Sequence, residues 1–322
     1  MKKELKLRIL ELMVTARCLE ERMIKMSKSA DGHFWLGGPG EEAFNIPLGL
    51  LARPGRGLDY DYFHFHYRNA ATMLAMGMDP RDELRQANNR ATDPFSGGRN
   101  FVNHFARVEW NVCPVTSTIQ TQWTVAPGTA RAQKRHGGSG ITIVTCGDAG
   151  TAEGDFHIGL NWATQPGQEV PVLFIVTNNR YGISTSYDQV QPVDSIAEKA
   201  RGYGMQWDVI DGTDVEVSYK RLTEVMNYVR TERKPFMLEA KVSRLYGHSS
   251  SSGANRVPEG SECDPMEVWA EKLIKQKVVT RKAYLEMIEA ETQRMNEYLK
   301  EIKAEPAPTA ESIYDHIFKE GF

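Results

Sequence analysis

Cysteine is scarce and scattered in this chain: Cys18, Cys113, Cys146 and Cys263 show no paired metal-ligand spacing. Cys146 falls inside a run that reads as a core strand, which fits a reduced compartment better than a disulfide framework. No apolar run approaches the length that spans a bilayer, so no membrane partner is expected. The opening MKKELKLRIL is too acidic and too helical for a signal peptide. An excess of one charge is missing too: 39 Lys and Arg against 42 Asp and Glu leave a net charge of −3, which offers no surface to nucleic acid. Internal repeats and low-complexity segments are also lacking. A soluble, cytoplasmic protein is expected, and 322 residues suffice for one large α/β domain with appendages.

What is present centres on residues 141–186. Residues 141–146 form a short β-branched apolar run, as a parallel strand buried on both faces requires. Gly147-Asp148-Ala149-Gly150 breaks the run and puts a carboxylate at the strand's end. Phe156, Gly159, Leu160 and Ala163 then recur at helical spacing, with Glu153 and Asp155 at the helix start. A second apolar strand, 172–177, ends at Asn178-Asn179-Arg180-Tyr181. A parallel βαβ crossover brings both strand ends to one edge of the sheet, where open α/β folds bind ligands, so Asp148 and Asn179 should converge. One carboxylate, one amide and a nearby main-chain carbonyl form a sparse hard-oxygen set, which suits Mg²⁺ once phosphates and water complete its shell. The helix start and small residues beside Asp148 supply N–H groups for those phosphates. Taken singly, Gly-Asp and Asn-Asn are ordinary turns. Both together, each ending a buried strand, are far more specific.

GD, an interval and then NN resembles the thiamine diphosphate-binding motif. GTAEGDFHIGLNWA and NNRYGIST resemble one branch most closely: the alpha subunit of the decarboxylating first component of the thiamine-dependent 2-oxoacid dehydrogenases. The similarity covers residues 32–246 and continues more weakly beyond. It implies a doubly wound parallel sheet with helices on both faces and helical extensions at both ends. The bounds are 1–30 for the N-terminal extension, 31–260 for the thiamine diphosphate-binding α/β domain and 261–322 for the C-terminal extension. One departure is Ala149, where the family has a second glycine; its N–H survives for phosphate binding if its φ is negative.

The resemblance also implies roles for single residues. Asp148, Asn179 and the Tyr181 carbonyl correspond to the Mg²⁺ ligands, and Gly147, Ala149 and Gly150 to the cofactor-binding turn. Tyr67-Arg68 matches the family's YR, which touches the cofactor, with Arg68 on the diphosphate; a forked permanent cation suits that role. Ser117 and Ile119 match cofactor contacts, Ile119 being the apolar wedge beneath its bend. Thr116, Thr118, Thr121 and Gln122 match a loop that holds a monovalent cation (K⁺) in branched-chain members. Phe34 matches a residue lining the substrate channel. Leu36 falls where pyruvate-type relatives often carry histidine, which leans towards a bulkier substrate. His248 matches a catalytic histidine that contacts the diphosphate and faces the active site. Glu153 is a candidate for the reacting end, although a carboxylate at a helix start needs no further role.

Other stretches read from their residues. Residues 3–28 place Leu5, Ile9, Leu12, Ala16, Leu19 and Met23 on one face, as a surface helix does. His64 and His66 stand at strand spacing, but no third ligand lies nearby, so a metal pair is not expected. The tract 88–111 is longer than most structureless loops, which marks it as functional or interface-forming. Residues 206–210, 215–229 and 236–242 read as further strand, helix and strand, preceded by a short helix at 195–203. On a long helix, 281–303, Tyr284, Ile288, Glu291, Met295, Tyr298 and Ile302 form a narrow seam, with a linker at 304–308 and a final turn anchored by Ile313, Ile317 and Phe318. The 93–105 loop and the seam are candidate surfaces for a second chain.

These readings point to the alpha chain of a thiamine diphosphate- and Mg²⁺-dependent enzyme acting on a branched-chain 2-oxoacid. It would decarboxylate its substrate and pass the acyl group to a lipoyl domain of the acyltransferase core. In the family the carboxylate that activates the cofactor lies on a beta subunit, so the chain is expected to be inactive alone and to work as two alpha with two beta subunits. Pyruvate and acetoin dehydrogenase alpha subunits are the alternatives. A catalytically silent scaffold subunit is the alternative of another class, with Ala149 its sole support.

Overall fold

A strand buried at every position needs cover on both sides, and the fold supplies it. A computed structural model describes residues 1–29 and 33–315. Helices α1 (Lys3–Ser27) and α2 (Glu42–Leu51) precede strand β1 (Tyr62–His64). Helices α3 (Ala70–Met76), α4 (Pro80–Ala87) and α5 (Thr121–Arg135) lead to β2 (Thr142–Gly147). Helix α6 (Gly154–Ala163) connects β2 to β3 (Val172–Asn178). A small hairpin, β4 (Tyr181–Gly182) with β5 (Thr185–Ser186), is followed by the single turn α7 (Tyr187–Val190). Strand β6 (Gln206–Asp211), helix α8 (Val215–Glu232) and β7 (Phe236–Lys241) complete the sheet, and α9 (Pro265–Lys275) and α10 (Arg281–Lys303) follow.

The main sheet is entirely parallel, in the order β1-β2-β3-β7-β6. Side chains alternate between its faces. Ile143, Leu173, Ile175, Leu238 and Ala240 join the core built with α1, α2 and α8. Val144, Cys146, Phe174, Val176 and Met237 face α5 and α6, meeting Trp123, Ala126, Phe156 and Leu160. Trp123 packs on Phe174 at 4.8 Å between ring centroids and on Phe156 at 5.1 Å. Gly159 lets α5 and α6 come this close, since a Cβ there would lie 2.5 Å from the Trp123 carbonyl oxygen. The β2–β3 register pairs Gly147 with Thr177, so Asp148 and Asn179 emerge side by side at one edge. That edge is where the site forms.

Several expectations change. Helix α1 is no surface helix: Leu10, Met13, Val14, Arg17 and Glu20 are buried in addition to its apolar stripe, because α2, α3, α9 and α10 surround it. The seam of α10 meets α1 and α4 within the same chain and so is not free for a partner. The Cys18 thiol reaches the Ile288 carbonyl, Arg22 donates to Asn296, and Arg81 lies over the Tyr298 ring. A narrow seam tells of a partner helix, not of whose chain it belongs to. The 195–203 helix is a 3-10 stretch beginning at Ala197. The 304–308 linker is latched, with Glu305 bonded to Arg85. Ile313 is 55% exposed among the described residues and so is no buried anchor there, while Ile317 and Phe318 lie outside the described residues. Among the described residues, no helix is long and apolar enough to cross a membrane.

Candidate cofactor and substrate site

Asp148 leaves the end of β2 into a protein-lined hollow and is 2% exposed. Burial raises its pKa, while Arg68 and neighbouring main-chain N–H groups, those of Ala149 and Asn179 among them, favour the charged form. Its Oδ1 is buried and finds no hydrogen-bond partner among the described residues. A buried carboxylate oxygen left without a donor is costly, and a cation relieves that cost. At the end of β3, the Asn179 side-chain oxygen accepts from the Tyr181 N–H at 3.2 Å and keeps a second lone pair. Hard oxygens of this kind suit Mg²⁺, and the residues present fit the ion.

A wall built on Arg68 and His248 lines the same hollow. Arg68 is 6% exposed, its Nε 3.7 Å from Glu41 and its Nη2 3.2 Å from His248 Nδ1. Arginine only donates, so His248 Nδ1 accepts and its ring proton sits on Nε2. Burial, with Arg68 and Arg244 nearby, lowers the His248 pKa to about 4. The imidazole is therefore neutral near pH 7 and offers one N–H donor. Tyr67 meets this pair, edge to face with the His248 ring at 6.0 Å and with its own ring 5.1 Å from the Arg68 guanidinium carbon.

Between these walls lies a cavity of about 510 Å³. Its lining includes Phe34, Leu36, Tyr67, Arg68, Ser117, Ile119, Gly147, Asp148, Ala149, Gly150, Glu153, Tyr181 and His248, so residues from six separate stretches meet there. Asn179 stands behind this lining. The helix expected beside Asp148 begins only at Gly154; a 3-10 turn, Ala149–Ala152, intervenes and carries the N–H groups nearest the carboxylate. Ala149 has no positive φ, so its methyl does not strain the turn. The methyl instead uses room left by Gly182, where a Cβ would lie 2.4 Å from it. A Cβ on Gly150 would meet an Ile119 methyl at 3.0 Å, which puts Ile119 against the turn.

The apolar mouth is pinned to the His248 loop. Ser250 N donates to the Trp35 carbonyl at 2.7 Å, and Ser250 Oγ accepts from Trp35 N at 3.1 Å. Trp35 Nε1 donates to Glu20 of α1 at 2.7 Å, so the first helix also holds the segment carrying Phe34 and Leu36. In the 116–122 loop, Thr116 Oγ1 accepts from Thr118 N, and Gln122 Nε2 donates to the Thr145 carbonyl. Gln122 Oε1 is buried without a partner among the described residues.

Sequence reasoning missed several groups. Glu41 is 1% exposed and its pKa is pushed up to about 7 by burial; a Glu before a helix reads as an ordinary helix start. His104 lines the cavity, its Nδ1 on the Val102 carbonyl and its Nε2 on Ser117 Oγ. Phe101 and His66 line it too, and Arg244 covers the Tyr181 ring at 4.9 Å. The one available signal was the length of the 88–111 tract. That tract is built on Asp93, whose carboxylate accepts from the N–H groups of Phe95, Ser96 and Gly98.

The two histidines of the β1 region do not form a pair. His64 Nε2 lies 3.0 Å from Thr129 Oγ1 on α5, whereas His66 stacks on Tyr67 at 3.8 Å. Burial lowers the His64 pKa from 6.5 to about 4. A depressed histidine binds its proton more readily in the unfolded chain, so its stabilisation is present above pH 6.5 and lost as pH falls through 4. The loss amounts to roughly 3 kcal/mol. His64→Gln should therefore shrink the difference in unfolding free energy between pH 7 and pH 4 by about that amount. Denaturant melts at the two pH values measure it, and an unchanged difference would refute the assignment.

The dehydrogenase E1 component family matches residues 10–311. The 2-oxoisovalerate dehydrogenase subunit alpha of Bacillus subtilis is 28% identical over 312 residues, covering 95% of this chain and 93% of that protein. The mitochondrial 2-oxoisovalerate dehydrogenase subunit alpha 1 of Arabidopsis thaliana is 28% identical over 266 residues, 83% of this chain and 54% of that protein. The mitochondrial subunit alpha of Caenorhabditis elegans is 30% identical over 240 residues, 74% of this chain and 53% of that protein. The chain thus spans nearly all of the bacterial relative and about half of the mitochondrial ones.

Proposed function

This chain belongs to the dehydrogenase E1 component family, and we propose that within it the chain holds thiamine diphosphate and Mg²⁺ for a branched-chain 2-oxoacid dehydrogenase. The observation that carries this reading is the buried Asp148 oxygen, without a hydrogen-bond partner among the described residues, in one cavity lined also by Arg68 and His248. Asp148, Asn179 and the Tyr181 carbonyl would bind the metal. Arg68 and the His248 Nε2–H would bind the diphosphate, helped by the N–H groups of the Ala149–Ala152 turn. Ile119, lying against Gly150, would be the apolar wedge. Thiamine diphosphate, when bound, supplies the thiazolium carbon at which a 2-oxoacid loses CO₂. The chain's own part is to bind, to orient and to exclude water.

Phe34, Leu36, Phe101 and Val190 give the cavity an apolar side, which suits a branched alkyl group better than a methyl. The orphaned Gln122 oxygen supports a K⁺ ion beside Thr116, Thr118 and Thr121. The beta subunit would complete the site with the carboxylate that activates the cofactor, in an assembly of two alpha and two beta chains. A lipoyl domain of the acyltransferase core would take the acyl group, and the assembly would work in the cytoplasm.

The test is a substrate panel on the chain reconstituted with its beta subunit, read with an artificial electron acceptor. 2-Oxoisovalerate should exceed pyruvate and acetoin in kcat/KM by roughly tenfold or more, as added methyl groups in an apolar pocket allow. The chain without its beta subunit should show no turnover. A preference for pyruvate or acetoin would overturn the substrate assignment, and robust turnover by the chain alone would overturn the division of roles.

A further inference from the structure

Glu41 stands behind the cavity wall at the entry to α2, just after the Gly38–Gly40 bend. Gly40 has φ +110°, and a Cβ there would lie 2.6 Å from the Ser243 carbonyl oxygen, so the chain reaches Glu41 through a bend that favours glycine. The carboxylate meets donors from three elements. Its Oε1 accepts from Asn179 Nδ2 at 3.4 Å and lies 3.7 Å from Arg68 Nε, and its Oε2 accepts from Asn45 Nδ2 at 3.5 Å. The Asn45 amide is fixed independently: its Nδ2 also donates to the Arg68 carbonyl at 3.2 Å, and its oxygen accepts from Asn69. Arg68 cannot accept at all.

A side-chain amide has two ends of nearly equal shape, and its neighbours decide which one faces a ligand. For Asn179, the Tyr181 N–H takes the oxygen and Glu41 takes the nitrogen. The oxygen is thereby aimed along the edge it shares with Asp148. On its other side the same carboxylate oxygen draws Arg68 Nε, leaving Nη2 on His248 and Nη1 beside Gly147, where a Cβ would lie 2.9 Å from it.

We infer that Glu41 is a positioning residue: one buried carboxylate fixes the Asn179 amide with its oxygen towards the cavity and aligns the Arg68 guanidinium, and so couples the metal-binding and diphosphate-binding halves of the site. The inference rests on the roles of Asn179 and Arg68 proposed above. It assigns Glu41 no contact with the reacting atoms.

Glu41→Gln tests it, because the volume stays the same while one acceptor oxygen becomes an NH₂ that must face a donor. The full chain, purified with its beta chain, is titrated with thiamine diphosphate by calorimetry in the presence and absence of Mg²⁺. In the wild type Mg²⁺ should tighten thiamine diphosphate binding. In the variant the Mg²⁺-supported affinity should fall roughly 10- to 100-fold, as happens when a partner of a metal ligand is lost. The ratio of the two dissociation constants should move towards one, because that ratio measures the coupling itself. A purely structural Glu41 would lower the thermal midpoint and leave this ratio unchanged. A wild-type ratio in Glu41→Gln overturns the inference alone, whereas failure of the wild type to bind thiamine diphosphate with Mg²⁺ overturns the proposed function with it.

Discussion

Asp148→Ala is expected to weaken Mg²⁺-supported thiamine diphosphate binding by roughly a hundredfold or more, since a direct metal ligand matters at least as much as its supporting shell. The same change should leave the cofactor-free protein as stable as before, or more stable. Asp148 is 2% exposed, burial raises its pKa, and one of its oxygens lacks a donor among the described residues. Removing it ends a desolvation cost that Arg68 and the neighbouring main-chain N–H groups do not fully offset. The two effects have opposite signs, which separates a ligand from a packing residue. Calorimetric titration gives the first and thermal unfolding without cofactor gives the second. An unchanged dissociation constant would sink the metal assignment.

Arg68→Ala should behave differently. It too should abolish diphosphate binding, but here the cofactor-free protein should lose stability, by about 3 kcal/mol or more, as when one partner of a buried ion pair is removed. The guanidinium lies 3.7 Å from Glu41, both groups are buried, and Glu41 would be left with only neutral donors, the Thr177 hydroxyl and the Asn179 and Asn45 amides. Arg68→Lys keeps the charge and loses the fork, so it should restore part of the stability and little of the binding. Denaturant unfolding of the three proteins measures the order. Equal stability of Arg68→Ala and the parent would show that the pair is not what holds this wall.

Why half of this site was legible in the sequence and half was not follows from where each half gets its geometry. Asp148 and Asn179 each follow a strand that is buried at every position, and the handed crossover leaves one edge for them to share. Local pattern was enough there. Glu41 meets Asn179 across 138 residues of sequence, and Arg68 meets His248 across 180. No periodicity reports such distances, and a Glu before a helix has an ordinary reading of its own. Resemblance supplied Arg68 and His248; nothing supplied Glu41. The same limit applied to the helices. The stripe on α1 showed one apolar face, but Arg17 and Glu20 are buried as well, because Glu42, Asp264 and Trp35 come to them from three other segments. The spacing of His64 and His66 suggested a shared face, yet β1 stops at His64 and the chain turns at 67–69, directly after His66.

The burial of α1 has a consequence for how the protein is made. Cys18 of α1 meets the Ile288 carbonyl of α10, 270 residues further along. At ribosomal rates of about 5–20 residues per second, that separation takes roughly 15 to 55 seconds to synthesise. Throughout that interval the apolar side of α1 that α9 and α10 will cover has no cover from them, although the sheet with its α2, α5, α6 and α8 can already have formed. The nascent chain therefore passes through states in which this side of α1 is bare, at first on an incomplete sheet and, once β7 (Phe236–Lys241) is made, on a nearly complete one. A chain that stops before α10 would keep that side of α1 uncovered, so the helix packing that closes the fold depends on the last fifth of the sequence.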